Sequence, residues 1–472
     1  MVGCTTVSVA LFIILLNING AMSCPSMCSC GSNSDVDCDF RSLTVIPSGI
    51  PAETVTLDLG RNSIMSLPTE TFISLTRLKN LYLSNNAISV ISSGVLSGLT
   101  SLEKLYLHYN NITALSYDTF NGLSSLLYLY LHNNKISTLP SGIFSGLNSL
   151  TRLYLYSNDI TTLSSGVFST LSSYRFCICT TTRYQHYHQE SSLSNEITAV
   201  AKLSNLSQLS NLNLGYNCIT SLQDGVFERL TKLSTFSLQN TCIESISPSS
   251  FRGLTNLRYL YVRNNVNLKM LPTTLFDEVG NVTTLQLQYN ALTSLASNQF
   301  SRLSRLTQLD LYNNDITTLS PGAFNGLSSL QYLYLYNNKI STLPSGIFSG
   351  LNSLRQLQLQ NNEITALPSA IFSGLNSLTN LRLDRNEITA VGKFANLPQL
   401  SYLNLNYNCI TSLQDGVFER LTKLSTLYLQ NTCIENISPS AFRGLTNLRY
   451  LYLSNNINLT MLPTTRLMKL EP

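Results

Sequence analysis

An α/β solenoid is the fold class that this chain predicts, on three observations. The string LxxLxLxxNxI recurs down almost the whole length at a step of about 24 residues. Within each copy the leucines alternate with polar residues, which is the period-two signature of a strand. After each strand and turn comes a second apolar set carrying a recurrent phenylalanine.

The pattern begins imperfectly at Val55-Leu57-Leu59-Asn62, settles at Leu78-Leu81-Leu83-Asn86-Ile88, and continues to Leu448-Leu451-Leu453-Asn456. A period of roughly 20 to 29 residues with this pattern is a leucine-rich repeat, whose units stack into a horseshoe. Each unit contributes a short strand to a parallel sheet on the concave side and an irregular or short-helical segment to the convex side. A lone repeat cannot bury its apolar face, so the 472 residues make one elongated repeat domain rather than several separate cores. The asparagine column (Asn86, Asn110, Asn134, Asn158, Asn217, Asn290, Asn314, Asn338, Asn362 and Asn386) falls at the bend. There a side-chain amide can satisfy backbone groups of adjacent rungs. The phenylalanines, from Phe72 through Phe144 and Phe348 to Phe442, predict an aromatic spine under the convex side.

Six segments follow from these patterns. Residues 1–23 hold an apolar run around Val9 to Leu16, too short to span a bilayer and followed by small residues. They read as a secretory signal ending near Ala21 or Ser23, although a basic n-region is missing. Residues 24–52 form a cysteine-rich N-terminal cap in which Cys24, Cys28, Cys30 and Cys38 stand in C-x3-C-x-C-x7-C spacing. That density in an exported chain implies disulfides; a zinc knot is the competing reading, disfavoured in an oxidising compartment. Residues 53–171 and 195–465 are repeats, and residues 172–194 interrupt them. Residues 466–472 are an uncapped tail, so this end is expected to continue in a longer sequence, to be covered by a partner, or to behave poorly.

The interruption lies within an internal duplication. Asn121 to Phe168 matches Asn325 to Phe372 at an offset of 204, and Asn195 to Thr274 matches Asn386 to Thr465 at an offset of 191, leaving 13 additional residues in the first copy. In residues 172–194 the expected leucine positions hold Tyr174, Cys177 and Cys179. The segment is a looped-out insertion, a degenerate repeat or an artefact of the sequence. Cys177, Cys179, His186 and His188 match no defensible zinc spacing, so no metal site is expected.

Cys218, Cys242, Cys409 and Cys433 occupy the position after the bend, a column otherwise filled by charged residues such as Lys135, Asp159 and Glu363, and therefore solvent-facing. Equivalent residues on neighbouring strands lie about 4.8 Å apart, within disulfide reach, which predicts the pairs Cys218–Cys242 and Cys409–Cys433. N-x-[ST] sequons at Asn111, Asn205, Asn281, Asn436 and Asn458 suit glycosylation on the secretory route.

The concave columns vary while the scaffold repeats. The central one carries Tyr82, Tyr106, Tyr130, Tyr154, Tyr261, Tyr334, Arg382, Tyr428 and Tyr452; its neighbour carries His108, His132, Tyr156, Tyr312 and Tyr336. Tyrosine and amide side chains offer amphipathic area with little entropy loss, so this face is the expected ligand-binding surface for a protein or glycan. The competing reading is that tyrosines one rung apart merely stack and stabilise the sheet. Charged residues are only 11% of the chain and the formal balance is +4, which argues against a nucleic-acid partner. No transmembrane span is expected in the mature chain, and no oligomeric state is implied. With four histidines and no placed nucleophile, catalytic residues and cofactors are not expected either.

The cysteine cap followed by repeats of the form LxxLxLxxNxIxxLPxxxFxxL resembles the extracellular "typical" leucine-rich-repeat family. That family includes the variable lymphocyte receptors of jawless vertebrates and the ectodomains of Toll-like and Slit-type proteins. The resemblance implies that Cys24 pairs with Cys30 and Cys28 with Cys38, and that ligand binds the concave sheet. The chain departs from these relatives in lacking a C-terminal cysteine-flanked cap, a stalk, a second hydrophobic segment and a signalling domain. The expected role is a secreted, non-enzymatic recognition protein of immune or adhesive type. The alternatives are a structural extracellular-matrix protein or a receptor ectodomain fragment.

Overall fold

The computed structural model describes residues 24–163, 167–168, 208–368, 370–394 and 397–461. Residues 1–23, the interruption at 172–194, the final tail and Asn205 lie outside the described residues.

Ser29–Cys30 pairs antiparallel with Asp35–Asp37, and from Asp35–Asp37 onward every strand of the main sheet joins its neighbour in parallel, beginning with Thr56–Asp58 and Asn80–Tyr82. Among the described residues eighteen strands form this one sheet. Most are three residues long with a single inward leucine, as in Leu105, Leu129, Leu333 and Leu357, all 0% exposed. Short strands suffice because each residue of a rung is matched one-to-one with the next, Tyr106 with Tyr130 and Leu105 with Leu129. The period-two alternation then sends leucines into the core and tyrosines to the concave face. The convex side is irregular, made of turns and two-residue strands such as Ser221–Leu222 against Ser245–Ile246, and no helix occurs among the described residues. Gly253, at φ 81°, belongs to one such turn: a Cβ there would collide with the Glu228 carbonyl.

The asparagines form the anticipated ladder. Asn134 Nδ2 donates to the Leu107 and Leu131 carbonyls at 3.0 Å each, while its Oδ1 accepts from the Ile112 amide at 3.1 Å. Two rungs lack the asparagine. Thr241 and Thr432 replace it, each hydroxyl donating to a carbonyl of its own rung (Leu238 and Leu429) and bonding the next rung's Asn265 and Asn456.

The phenylalanine spine stacks at 5.6–6.5 Å between rings from Phe276 to Phe442 and includes Phe394, which completes the column. It is broken at Phe236, a strand residue standing where other rungs have leucine. Its ring meets Phe227 and Phe251 edge-on, at 4.7 and 6.2 Å.

At the interruption the ladder steps directly from Tyr154 to Asn213. The second copy takes two steps over the corresponding span, Gln358 to Arg382 to Asn404. The sheet is therefore continuous across the break, one rung shorter in the first copy.

In the cap, Cys24–Cys30 and Cys28–Cys38 are bonded. Cys218–Cys242 is bonded as well, across one rung with Cα atoms 4.6 Å apart. Cys409–Cys433 corrects the expectation, because both remain exposed thiols. Burial, and then the adjacent Cys433, raise the Cys409 thiol pKa. Among the sequons, Asn111, Asn436 and Asn458 are exposed and Asn281 partly so.

Candidate functional site: an aromatic wall on the concave sheet

Rung spacing and ring thickness set the geometry of the concave face. Strands about 4.8 Å apart place side chains of one column at the distance where aromatic rings stack offset. Tyr82, Tyr106, Tyr130 and Tyr154 accordingly form one continuous stack, with centroids 4.4, 4.6 and 4.9 Å apart and planes within 15°. Beside it His108, His132 and Tyr156 form a second stack at 4.5 and 4.3 Å. The columns meet edge to face, His108 lying 6.1 Å from Tyr106 and His132 6.1 Å from Tyr130. A third column flanks the wall with positive charge: Tyr128 lies between Lys104 at 5.8 Å and Arg152 at 5.0 Å.

The interior of the wall is electrically neutral. Burial lowers the His108 pKa, and burial followed by the neighbouring His108 lowers that of His132 to about 4. Burial, then the adjacent phenols, raises Tyr106. Nδ1 of both histidines is buried without a hydrogen-bond partner. The surface thus has donors and acceptors to offer but little charge except along its Lys104–Arg152 margin.

Tyr109 was missed in the sequence. It adopts φ 53° in a column otherwise rich in asparagine, is 53% exposed, and meets His108 and His132 edge-on at 5.7 and 5.9 Å. The left-handed conformation belongs to the bend of every rung and is shared by Tyr216, Tyr289 and Tyr407; what sets Tyr109 apart is its contact with both histidines. Its signal was a tyrosine where neighbouring rungs place asparagine.

The remaining expected residues do not join this wall. Tyr261 stands alone, half-buried, several rungs away. Tyr312 stacks on Tyr336 at 4.4 Å with Tyr334 in the adjoining column. Arg382 is engaged by its own strand, Nε and Nη2 donating to Asp384 at 3.0 and 2.9 Å. Tyr428 stacks on Tyr452 at 4.5 Å near the last described rung. From Tyr154 to Tyr334 the sheet takes six steps, about 29 Å at the usual spacing, so these clusters are separate. Among the described residues no group of three or more histidine, cysteine or acidic side chains could hold a metal, and no helix is long and apolar enough to cross a membrane.

Known proteins agree with this architecture. Residues 53–112, 100–160, 207–266, 264–316, 304–364, 353–410 and 398–457 match the family described as leucine rich repeat. The mouse leucine-rich repeat and immunoglobulin-like domain-containing nogo receptor-interacting protein 2 is 40% identical over 72 residues, 15% of this chain and 12% of that protein. The human matrix-remodeling-associated protein 5 is 38% identical over 78 residues, 16% of this chain and 3% of that protein. The chain thus spans only a small part of these relatives. Among solved structures, a leucine-rich-repeat protein of Leptospira interrogans superposes with TM-score 0.61 at 26% identity, covering 88% of this chain and 94% of that one. Toll from the Drosophila Toll–Spatzle complex superposes with TM-score 0.67 at 25% identity, covering 82% and 50%. The family match takes in well over half of the residues, and the cap cysteines are bonded as the repeats require at an exposed end: the chain belongs to the leucine-rich-repeat family.

Proposed function

We propose that the chain is a secreted, non-enzymatic recognition protein that grips a protein ligand with the aromatic wall from Tyr82 to Tyr156. The observation carrying this reading is the stacking itself. Both faces of Tyr106, Tyr130 and His132 are occupied by neighbouring rings, so the wall presents edges and hydroxyls rather than open faces. Sugar recognition by stacking requires an open ring face, whereas a protein surface supplies backbone and side-chain partners for a row of phenols. Disulfides at the cap and at Cys218–Cys242 support an oxidising, extracellular setting. The solved Toll structure, taken from a complex with Spatzle, supports a protein as the ligand class.

The test is a screen of the full chain against extracellular protein and glycan arrays, followed by two triple variants. Changing Tyr106, Tyr130 and Tyr154 to Phe keeps the stack and removes the hydroxyls; affinity is expected to fall about tenfold or more with folding intact. Changing the same three to Ser is expected to abolish binding and also to lower stability. Unchanged affinity in the Phe variant overturns the reading, as does a ligand that proves to be a glycan. A wall that stabilises without binding any ligand would favour a structural matrix component.

A further inference from the structure

Two buried carboxylates face the concave side, and they differ in one respect. Asp384, 5% exposed, is clamped by Arg382 two residues before it through two N–H bonds. Asp310, 3% exposed, has Gln308 at the same offset, whose Nε2 shares one amide between Oδ1 at 3.0 Å and Oδ2 at 3.1 Å. No cation lies within ion-pair distance of Asp310 among the described residues; Arg263, the nearest in electrostatic effect, donates Nε to Gln239 instead. Burial raises the Asp310 pKa, while hydrogen bonds from Gln308 and then Gln286 favour its charged form; amides alone hold it, and a cation that would complete the pairing is not supplied by its own surroundings.

The surroundings suit one kind of partner. Tyr334 stands opposite Asp310 on the next strand, and Tyr312, two residues on, stacks with Tyr336 and meets Tyr289 edge-on at 5.5 Å. Burial and then the Asp310 charge raise the Tyr312 and Tyr334 phenols, which shows both rings within its electrostatic reach. One rung back, Gln288 is 1% exposed, its side chain reaches Tyr312, and its Oε1 has no hydrogen-bond partner. An acceptor without a partner therefore accompanies a carboxylate held only by amides, amid aromatic rings.

We infer that Asp310, with Gln288 and the rings of Tyr312 and Tyr334, is a socket for an arginine side chain of a protein partner. A guanidinium is planar, bonds a carboxylate through two parallel N–H groups, has donors left for an amide oxygen and packs on phenol rings. Arg382 provides the intramolecular precedent at Asp384. This inference rests on the concave face being the binding surface, but its nearest residue, Gln288, is four strands and so about 19 Å from the Tyr82–Tyr156 wall.

The test titrates the full chain with N-acetyl-arginine methylamide and with its uncharged isostere, N-acetyl-citrulline methylamide, following aspartate side-chain carboxyl resonances by NMR. The arginine derivative is expected to shift the Asp310 resonance saturably, at roughly tenfold lower concentration than the citrulline derivative. Asp310→Asn is expected to abolish that preference while unfolding no earlier than the native chain, because it removes an uncompensated charge. Gln308→Arg places a guanidinium as Arg382 does beside Asp384, and is expected to fill the socket and block the probe. Equal response to both probes, no response, or an undiminished preference in Asp310→Asn overturns the inference. Each result is independent of the Phe variants of the wall, which leave this cluster untouched.

Discussion

The two copies of the internal duplication share the asparagine ladder and the phenylalanine spine and differ on the concave side. Asn134 and Asn338 make the same carbonyl bonds at 3.0 Å, and Phe144 and Phe348 stack on their preceding rings at the same 6.2 Å. Outside, Tyr130, His132, Tyr154 and Tyr156 of the first copy become Tyr334, Tyr336, Gln358 and Gln360 of the second. The stack that runs on to Tyr154 and Tyr156 in the first copy gives way to amides in the second, where Gln360 Oε1 is buried without a partner. Core positions answer to neighbours on both adjoining rungs, whereas concave positions answer chiefly to whatever meets the sheet. Divergence at those positions is what a binding surface would show; the core diverges as well, at Phe236 against Leu427 and Val167 against Ile371.

The largest expected effect tests the identity of the interiors. Phe144→Ala and Phe348→Ala should each cost about 3–5 kcal/mol, since each leaves a cavity between two stacked rings, and they should agree within about 0.5 kcal/mol. Urea denaturation followed by circular dichroism measures both. A clear inequality would break the equivalence of the copies.

Next in size is the cysteine difference. Cys218–Cys242 closes a loop of 24 residues, so replacing both cysteines with alanine should cost about 3 kcal/mol by loop-entropy reasoning, against almost nothing for Cys409 and Cys433. Alkylation under native conditions followed by peptide mapping should label the second pair only. A recovered Cys409–Cys433 bridge would remove the contrast.

Acid should separate the copies as well. His132 titrates near 6.5 when unfolded and near 4 in the fold, so between those values the unfolded chain binds more protons. Stability is therefore complete above about pH 6.5 and declines as pH falls toward about 4. The loss is roughly 2 kcal/mol once the full shift is discounted for solvent near the ring edge. Tyr336 occupies the equivalent position in the second copy, so His132→Tyr should shrink the acid loss to the part that His108 contributes. A melting curve series from pH 7 to 4 on both chains decides it.

Much of this was legible because a solenoid writes each structural role as a column. The leucine, asparagine and phenylalanine positions follow from spacing alone, since residues one period apart must be neighbours; the same spacing brings both cysteine pairs together, yet only Cys218–Cys242 is bonded. What escaped are choices between neighbours. The spine breaks at Phe236 because a strand position, out of the phenylalanine column, carries a ring long enough to intrude. Thr241 and Thr432 keep the ladder by a hydroxyl route that a search for asparagine passes over. The direct step from Tyr154 to Asn213 depends on how the chain is bridged around the interruption, which local periodicity does not encode. Asp310 was visible as an acid in a tyrosine column, yet its want of a cation emerges only when Arg263 is found bonded to Gln239.

The smallest expected change in stability gives the most direct test of what the concave divergence is for. Tyr154→Gln with Tyr156→Gln converts the first copy's outer surface toward the second's at two positions whose side chains contribute stacking but little core burial. Each lost stacking contact is worth about 0.5–1 kcal/mol, partly offset because glutamines at the two positions bond each other, as Gln360 Nε2 donates to Gln358 Oε1 at 3.4 Å in the second copy. A net loss below about 1 kcal/mol is expected by urea denaturation. Affinity for any protein captured by the native chain should fall much further, because two of the wall's outward edges vanish. Were the reciprocal pair, Gln358→Tyr with Gln360→Tyr, to leave that affinity unchanged while the first pair destroyed it, the wall would depend on its position along the solenoid as well as on its rings. Equal loss of stability and affinity in the first pair would instead assign these tyrosines to the scaffold.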